Sequence, residues 1–178
     1  AVLVGSRDAP LGINFDLSRP SGEAGCEMLY VCDLSGGGTA AEANNREAPD
    51  HLQLRAGDFI RQVNGVSGDL EQMAEELQSG SALELVVRRP VLFTISVDKR
   101  GGALGLSLNK STSGKSLMID AVKDGPVRAW NAENADRQAA PGDRILAVNG
   151  QRGSSAELLA AISSGSELEL LLIRPADL

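Results

Sequence analysis

The sequence predicts an α+β fold, mainly β, in which two repeats of the same architecture follow one another. The first observation is internal: residues 57–90 align without a gap with residues 142–175, at an offset of 85, and 15 of the 34 aligned positions are identical. The second is that short runs alternate between apolar and polar residues, as half-buried strands do. Because a repeat of this length is one structural unit, we expect domain 1 at residues 1–90 and domain 2 at residues 91–178.

The predicted elements have the same order in both repeats. An opening strand, a second strand after a Leu-Gly turn and a third strand are followed by a short Ala-rich helix, a strand inside a Gly-Asp…Asn-Gly motif, a longer helix and a closing strand. In the first repeat we expect strands at 2–4, 12–17, 28–32 and 83–88 and the short helix at 39–44. In the second we expect strands at 92–97, 105–108, 117–122 and 168–173 and the short helix at 127–134. The Leu-Gly turns align at an offset of 93 instead of 85, so loops of the first repeat absorb eight extra residues.

The longer helix has the clearest local signal. In each repeat, four residues of this helix fall at i, i+3, i+4 and i+7, the spacing that places them on one buried face. The stripe is Leu70, Met73, Ala74 and Leu77 in the first repeat and Ser155, Leu158, Leu159 and Ile162 in the second. Both ends carry end signals, a capping box at the N-terminus and a glycine suited to a left-handed C-terminal cap. These are Asp69 with Gln72 and Gly80 in the first repeat, and Ser154 with Glu157 and Gly165 in the second.

Charge and hydropathy exclude two classes of protein. The chain has 17 Lys and Arg against 24 Asp and Glu, a net charge of −7, whereas nucleic-acid binding depends on a basic surface that neutralises phosphates. We therefore expect no nucleic-acid partner. The apolar runs are far shorter than the roughly 20 residues that cross a bilayer, so we expect no transmembrane segment. Whether Ala1 is a processed end is open, as is the localisation.

The two cysteines predict the redox environment. In an extended strand Cys26 and Cys32 would lie about 20 Å apart at roughly 3.3 Å per residue, and they cannot pair with each other there. We interpret both as buried apolar thiols, which favours a reducing compartment, cytoplasmic or organellar after processing. A position at the periphery of a membrane complex stays open.

Two motifs that occur in both repeats point to a family. X-Leu-Gly-Φ, with Φ an apolar residue, occurs at 10–13 and 103–106, and Gly-Asp-x-Ile-x-x-Val-Asn-Gly at 57–65 and 142–150. With the order of elements around them, these motifs resemble PDZ domains, once in each repeat. The resemblance implies two partial β-barrels in tandem, with no cofactor and no catalytic residues. It also implies that the C-terminal tail of a partner protein adds as an antiparallel strand between the second strand and the longer helix.

The resemblance carries over a set of peptide-binding residues. Backbone amides of the Leu-Gly turn would hold the terminal carboxylate, and apolar side chains would form a pocket for an apolar last residue. In the first repeat the amides are those of Leu11, Gly12 and Ile13, and the pocket residues are Leu11, Ile13, Phe15, Ala74 and Leu77. In the second the amides are those of Leu104, Gly105 and Leu106, and the pocket residues are Leu104, Leu106, Leu108, Leu159 and Ile162.

The residues beside these pockets predict specificity and the choice of groove. The first residue of the longer helix would face the residue two before the end of the tail; Leu70 favours an apolar residue there, and Ser155 discriminates little. Lys99 and Arg100 precede the second Leu-Gly turn and would help to hold the carboxylate, whereas the first turn has only Arg7. We therefore expect the second groove to be the functional one.

Other signals favour structural roles. His51 is the single histidine of the chain, so a histidine-based catalytic or metal site is not predicted and we interpret the protein as non-enzymatic. Residues 113–116, Ser-Gly-Lys-Ser, resemble the end of a phosphate-binding loop but join two strands, so we predict a hairpin loop. Asp58 and Asp143 are predicted to form turns.

The sequence leaves the function open between a scaffold or anchor that binds partner C-terminal tails and a structural or accessory subunit of a larger complex. In the second case the complex is organellar or membrane-associated and the grooves are vestigial. A cofactor-free enzyme is a third class. Saturable binding of free C-terminal peptides, lost on amidation, separates the first interpretation from the others.

Overall fold

The structure, a computed structural model, describes residues 2–5, 9–22, 27–79 and 82–176, the first of these ranges by its backbone. The chain divides into two compact units. One unit comprises Ala1–Leu17, Cys26–Pro90 and Pro175–Leu178, and the other comprises Ser18–Gly25 and Val91–Arg174. A single boundary after residue 90 differs from this division by two short segments, 18–25 and 175–178.

Both repeats have the same order of helices and strands. The first repeat contains β1 (Val2–Gly5), β2 (Ile13–Asp16), β3 (Leu29–Leu34), α1 (Ala40–Glu47), a 3-10 turn (Asp50–Leu52), β4 (Phe59–Val63), α2 (Leu70–Ser79) and β5 (Ala82–Arg88). The second contains β6 (Pro90–Asp98), β7 (Leu106–Lys110), β8 (Leu117–Val122), α3 (Pro126–Glu133), β9 (Arg144–Val148), α4 (Ser155–Ser164) and β10 (Glu167–Pro175). The predicted α+β, mainly β, fold class is confirmed.

The strands of each repeat form one sheet with a free edge. The described strands are ordered β1-β5-β4-β3-β2 in the first repeat and β6-β10-β9-β8-β7 in the second. β2 pairs antiparallel with β3, and β7 pairs antiparallel with β8. β2 and β7 are therefore the last strands of their sheets within the described part of the chain. A strand in that position exposes backbone N–H and C=O groups that can pair with an additional strand.

Each sheet packs with its helices around an aliphatic core. Among the most buried side chains are Leu29, Leu54, Ile60, Met73 and Leu85 in the first repeat and Ile95, Leu117, Ile119, Ile145 and Leu158 in the second. The buried residues of the longer helices are Leu70, Met73, Ala74 and Leu77 in α2 and Ser155, Leu158 and Ile162 in α4. The buried residues of both helices confirm the helical stripe that the sequence predicts, and Leu159 is half-buried at its margin.

The Asn-Gly end of the shared motif makes the same turn in both repeats. Asn64 has φ 48° and Asn149 has φ 51°, in the left-handed region that asparagine tolerates better than most residues. Oδ1 of Asn64 accepts a hydrogen bond from the N–H of Glu84 at 2.8 Å, and Oδ1 of Asn149 accepts one from Glu169 at 2.7 Å. The asparagine thus joins each turn to its closing strand, which is why this residue type fits both copies.

The Gly-Asp end of the motif is a turn that also holds an ion pair. Oδ2 of Asp58 accepts the N–H three residues earlier at 2.7 Å, and Oδ2 of Asp143 does the same at 2.9 Å, which confirms the predicted turn-forming role. The same oxygens lie 2.5 Å from Nη1 of Arg89 and Nη2 of Arg174. Burial raises the pKa of Asp143 to about 6, and the turn amide and Arg174 oppose that rise.

The predicted N-terminal caps of the longer helices are present. Ser154 and Glu157 form a complete capping box at α4, in which each side chain accepts from the backbone of the other. The hydrogen bond from the Ser154 amide lowers the pKa of the Glu157 carboxyl. At α2, Oδ1 of Asp69 accepts from the N–H of Gln72 at 2.9 Å. Both helix starts therefore lie where local sequence predicts them.

The predicted left-handed cap at the end of α4 is wrong. Gly165 has φ −76° and ψ 148°, an extended conformation. A Cβ at this position would lie 2.5 Å from Cδ2 of Leu168 and 3.1 Å from the carbonyl oxygen of Ala161. A larger residue here would have to displace the side chain of Leu168, because the closing strand passes close to the helix end. Gly80, the corresponding residue of the first repeat, lies outside the described residues.

The remaining sequence expectations concern isolated residues. Cys32 is half-buried in β3, with its Sγ 3.7 Å from the carbonyl oxygen of Tyr30. Cys26 and Arg7 lie outside the described residues, so the interpretation of the cysteines stays a prediction. His51 is exposed in the 3-10 turn. No helix in the described part of the chain is long and apolar enough to span a membrane.

Candidate functional site

The turn before β2 orients three successive backbone amides. The carbonyl oxygens of Pro10 and Leu11 accept hydrogen bonds from the first two N–H groups of α1, at 2.9 and 3.1 Å, and that of Gly12 accepts from the residue after β3 at 2.8 Å. In a trans peptide the N–H points opposite to the C=O of the same plane. The amides of Leu11, Gly12 and Ile13 therefore point away from α1 and β3, into the space beside β2.

The turn before β7 has the same orientation. The carbonyl oxygen of Leu104 accepts from α3 at 3.3 Å, and that of Gly105 accepts from the residue after β8 at 2.8 Å. The N–H groups of Gly105 and Leu106 consequently point away from α3 and β8, towards the free side of β7. The amides of Leu104 and Gly105 donate to no acceptor among the described residues. Such converging amides bind anions.

Both turns require glycine, for reasons that differ between the repeats. Gly12 has φ +75° and Gly105 has φ +81°, a region that residues with a side chain disfavour. A Cβ at Gly12 would lie 2.4 Å from Cβ of Thr39. A Cβ at Gly105 would lie 3.0 Å from Cα of Gly125 and from the carbonyl oxygen of Asp124. The first turn packs against a side chain and the second against backbone.

The predicted pocket residues lie together in each repeat. In the first, Ile13 and Leu77 belong to the core, Leu11 and Phe15 pack against it, and Ala74 is buried on the same face of α2. In the second, Leu104 and Ile162 belong to the core, and Leu106, Leu108 and Leu159 pack against it.

The exposure of the predicted pocket residues differs between the two repeats. Leu106 and Leu159 are half-buried, whereas Ile13 and Ala74 at the corresponding positions are buried. Phe15 and its counterpart Leu108 are both half-buried. The difference does not run one way, because Leu11 is half-buried whereas its counterpart Leu104 is buried.

The two residues assigned to specificity are held inside their repeats. Leu70 is 1% exposed and belongs to the core of the first repeat. Ser155 is 3% exposed, and its Oγ donates to the carbonyl oxygen of Ser116 at 2.8 Å. The assignments of Leu70 and Ser155 to tail specificity stay predictions.

The two basic residues before the second turn have partners within the chain. Nζ of Lys99 donates to the carbonyl oxygens of Ile162 and Ser163, both at 2.7 Å, so its ammonium group caps the C-terminus of α4. Arg100 is exposed, and its Nε lies 3.3 Å from Oδ2 of Asp98. Sequence reasoning missed the cap because the residues that it joins are more than sixty positions apart in the chain.

The arginine of each ion pair was also missed, although a signal was present. Arg89 and Arg174 occupy the same position of the gapless alignment, as do Asp58 and Asp143. Two identical charged positions of opposite sign in a repeat are candidates for a pair, and the structure joins them.

No family model matches the chain. Among curated proteins, the InaD-like protein of Canis lupus familiaris is 33% identical over 180 residues, which cover 90% of this chain. The chain spans only 8% of the length of that relative.

Three solved structures are similar to the chain, each with a TM-score of 0.41. MUPP1 PDZ4 is 19% identical and covers 50% of this chain and 80% of its own. INAD PDZ45 in complex with NG2 peptide is 18% identical, with coverage of 98% and 88%. INAD PDZ45 in complex with NORPA CC-PBM is 17% identical, with coverage of 99% and 92%.

The chain thus consists of two successive repeats with the same order of elements, and it is similar to the InaD-like protein and to these PDZ structures. Each repeat has the Leu-Gly turn, a strand at the sheet edge and a longer helix, the elements between which the sequence predicts a groove.

Proposed function

We propose that the protein is a non-enzymatic scaffold or anchor that binds the C-terminal tails of partner proteins by β-strand addition, and that the second groove carries this activity. The orientation of the Gly105 and Leu106 amides towards the free side of β7 carries the proposal. A tail that pairs with β7 brings its carboxylate to these amides, which form charge-assisted hydrogen bonds.

Apolar burial adds the second part of the binding free energy. The last side chain of the tail packs against Leu106, Leu108 and Leu159, which are half-buried in the free protein. One buried apolar side chain contributes about 1.5–3 kcal/mol, and each hydrogen bond to a charged group about 1.5–3 kcal/mol. Association and ordering cost part of this free energy. We therefore expect a dissociation constant in the micromolar range, which corresponds to a binding free energy of about −8 kcal/mol.

Charge also favours the second groove. Helix α2 of the first repeat contains Glu71, Glu75 and Glu76, whereas α4 contains only Glu157. Carboxylates on the helix that borders a groove repel the carboxylate of an incoming tail, although salt screens exposed charges.

The alternative function, a subunit of a larger assembly with vestigial grooves, has one observation in its favour. Lys99, the basic residue expected to hold the tail carboxylate, is engaged at the C-terminus of α4. Of the two basic residues, only the exposed Arg100, which pairs with Asp98, would then remain to assist the backbone amides.

The test is selection from a random library of peptides with free C-termini, followed by titration of the selected peptides and of their amidated forms. Leu159→Lys places a charge in the second groove, and Ala160→Lys adds the same charge at an exposed position of the same helix. We expect amidation and Leu159→Lys each to weaken binding at least tenfold and Ala160→Lys to change it less than twofold. The same loss with both variants, or equal binding of amidated peptides, contradicts the proposal.

A further inference from the structure

We propose that the loop at residues 111–116, here named the serine loop, latches onto the N-terminus of α4 and closes one end of the second groove. This inference rests on the proposed function. A tail that pairs antiparallel with β7 has its carboxylate at Gly105, and its preceding residues lie progressively closer to Lys110, the last residue of β7. Beyond Lys110 the tail would meet the serine loop. The latch thus limits recognition to the last few residues of the tail.

Two hydrogen bonds form the latch. The N–H of Ser155 donates to the carbonyl oxygen of Gly114 at 2.7 Å, and Oγ of Ser155 donates to the carbonyl oxygen of Ser116 at 2.8 Å. Ser155 and Ser116 are 3% and 1% exposed. Because these bonds are shielded from water, opening the loop would leave buried polar groups without partners, which is costly.

The serine loop is also braced internally. The N–H of Ser111 donates to the carbonyl oxygen of Ser116 at 3.1 Å, and the N–H of Ser116 donates to Oγ of Ser111 at 3.1 Å. The N–H of Gly114 donates to the carbonyl oxygen of Ser111 at 3.0 Å. The loop therefore presents a defined surface to the groove.

The opposite end of α4 is tied as well. Lys99, which precedes the second Leu-Gly turn, holds the carbonyl oxygens of Ile162 and Ser163. The ten residues of α4 span about 15 Å at roughly 1.5 Å per residue. The five residues of β7 span about 17 Å at roughly 3.4 Å per residue. α4 and β7 are therefore similar in length, and hydrogen bonds tie each end of α4 to residues just before or just after β7. The groove between them has room for about five residues of a tail.

Among the residues that the structure describes, the first repeat shows no corresponding latch. Helix α2 begins at Leu70, and its first turn is capped by Asp69. No hydrogen bond joins Leu70 to the described residues that follow β2, 17–22. Ser18 and Ser21 of that segment belong to the second compact unit. The N–H of Ser21 donates to Oδ1 of Asp120 at 2.5 Å, and Oγ of Ser18 accepts from the N–H of Thr112 at 3.3 Å.

The test compares free-carboxylate peptides of five and ten residues that share their last five residues, chosen by selection from a random C-terminal library. We expect less than a twofold difference in affinity between the two lengths for the unmodified protein. A tenfold gain for the ten-residue peptides overturns the latch while the proposed function stands. If no free-carboxylate peptide binds, the proposed function fails and the latch fails with it.

The variant Ser155→Ala removes the hydroxyl bond to Ser116 and keeps the capping residue Ser154. We expect the ten-residue peptides to gain at least threefold over the five-residue ones in this variant, and hydrogen exchange of the Ser155-position amide to accelerate. Ser163→Ala, an exposed position on the same helix, is the matched control and should leave both unchanged. An unchanged length dependence together with unchanged exchange in Ser155→Ala overturns the proposal.

Discussion

The two repeats share a backbone plan and differ in what surrounds the groove. In the first, the Leu-Gly turn packs against the side chain of Thr39, and the helix beside the groove is acidic. In the second, the turn packs against the backbone of Gly125, and the helix carries a single acidic residue, Glu157. The motif that specifies the fold is therefore separate from the residues that surround the predicted groove. Those surrounding residues can diverge between the repeats while the motif stays the same.

The largest expected effect concerns the ion pairs that both repeats retain. Asp58→Ala and Asp143→Ala each leave an arginine without its buried partner and free a turn amide, so each should lower the free energy of unfolding by about 3–5 kcal/mol. Denaturant titration at pH 7.5, above the raised pKa of Asp143, measures this. A loss in one repeat without an equal loss in the other would mean that the shared pair is not equally important.

Alanine substitutions at the two turn glycines should show that the turns pack against different neighbours in the two repeats. Gly12→Ala and Gly105→Ala should each cost about 2 kcal/mol or more, because a Cβ strains a positive φ and meets close neighbours. Thr39→Gly removes the side chain that Gly12→Ala meets, so unfolding measurements on the double variant should recover about 1 kcal/mol by non-additivity. Full additivity would show that Thr39 is not the obstacle.

Replacement of Lys99 distinguishes a helix cap from a carboxylate ligand. Lys99→Met should lower the free energy of unfolding by about 1 kcal/mol, because two carbonyl groups of α4 lose their donor. Peptide affinity should change less than twofold. Arg100→Met, at an exposed position, is the control and should be close to neutral. A tenfold loss of affinity in Lys99→Met with unchanged stability would restore the role that the sequence suggests.

The smallest effect is the pH dependence that the capping box of α4 should contribute. The pKa of Glu157 is lowered in the folded protein by the Ser154 amide, so its contribution to stability is present above the unfolded value of 4.5 and is lost as pH falls through the folded value. The first repeat has uncharged Gln72 at this position. Unfolding curves of Glu157→Gln and the unmodified protein should therefore converge on acidification, and a constant difference would contradict this.

Local sequence was sufficient for features whose partners lie within a few residues. Strand β8 has the predicted bounds, Leu117–Val122, because it is a short, mainly apolar run. The capping box of Ser154 and Glu157 was predicted because a box spans only one helical turn. The cap at Gly165 was predicted wrongly, since this residue is extended, and local sequence did not show that Leu168 of the following strand lies against it.

The sequence by itself determined the repeat, the order of elements and the aliphatic cores, since these follow from periodicity, from turn residues and from a motif present twice. Only the tertiary structure decided where the side chains around the grooves are engaged. Lys99 caps α4 and Ser155 holds the serine loop because folding brings residues from distant parts of the chain within hydrogen-bonding distance. Periodicity and spacing report on neighbours along the chain, and such contacts depend on how the strands and helices pack in space.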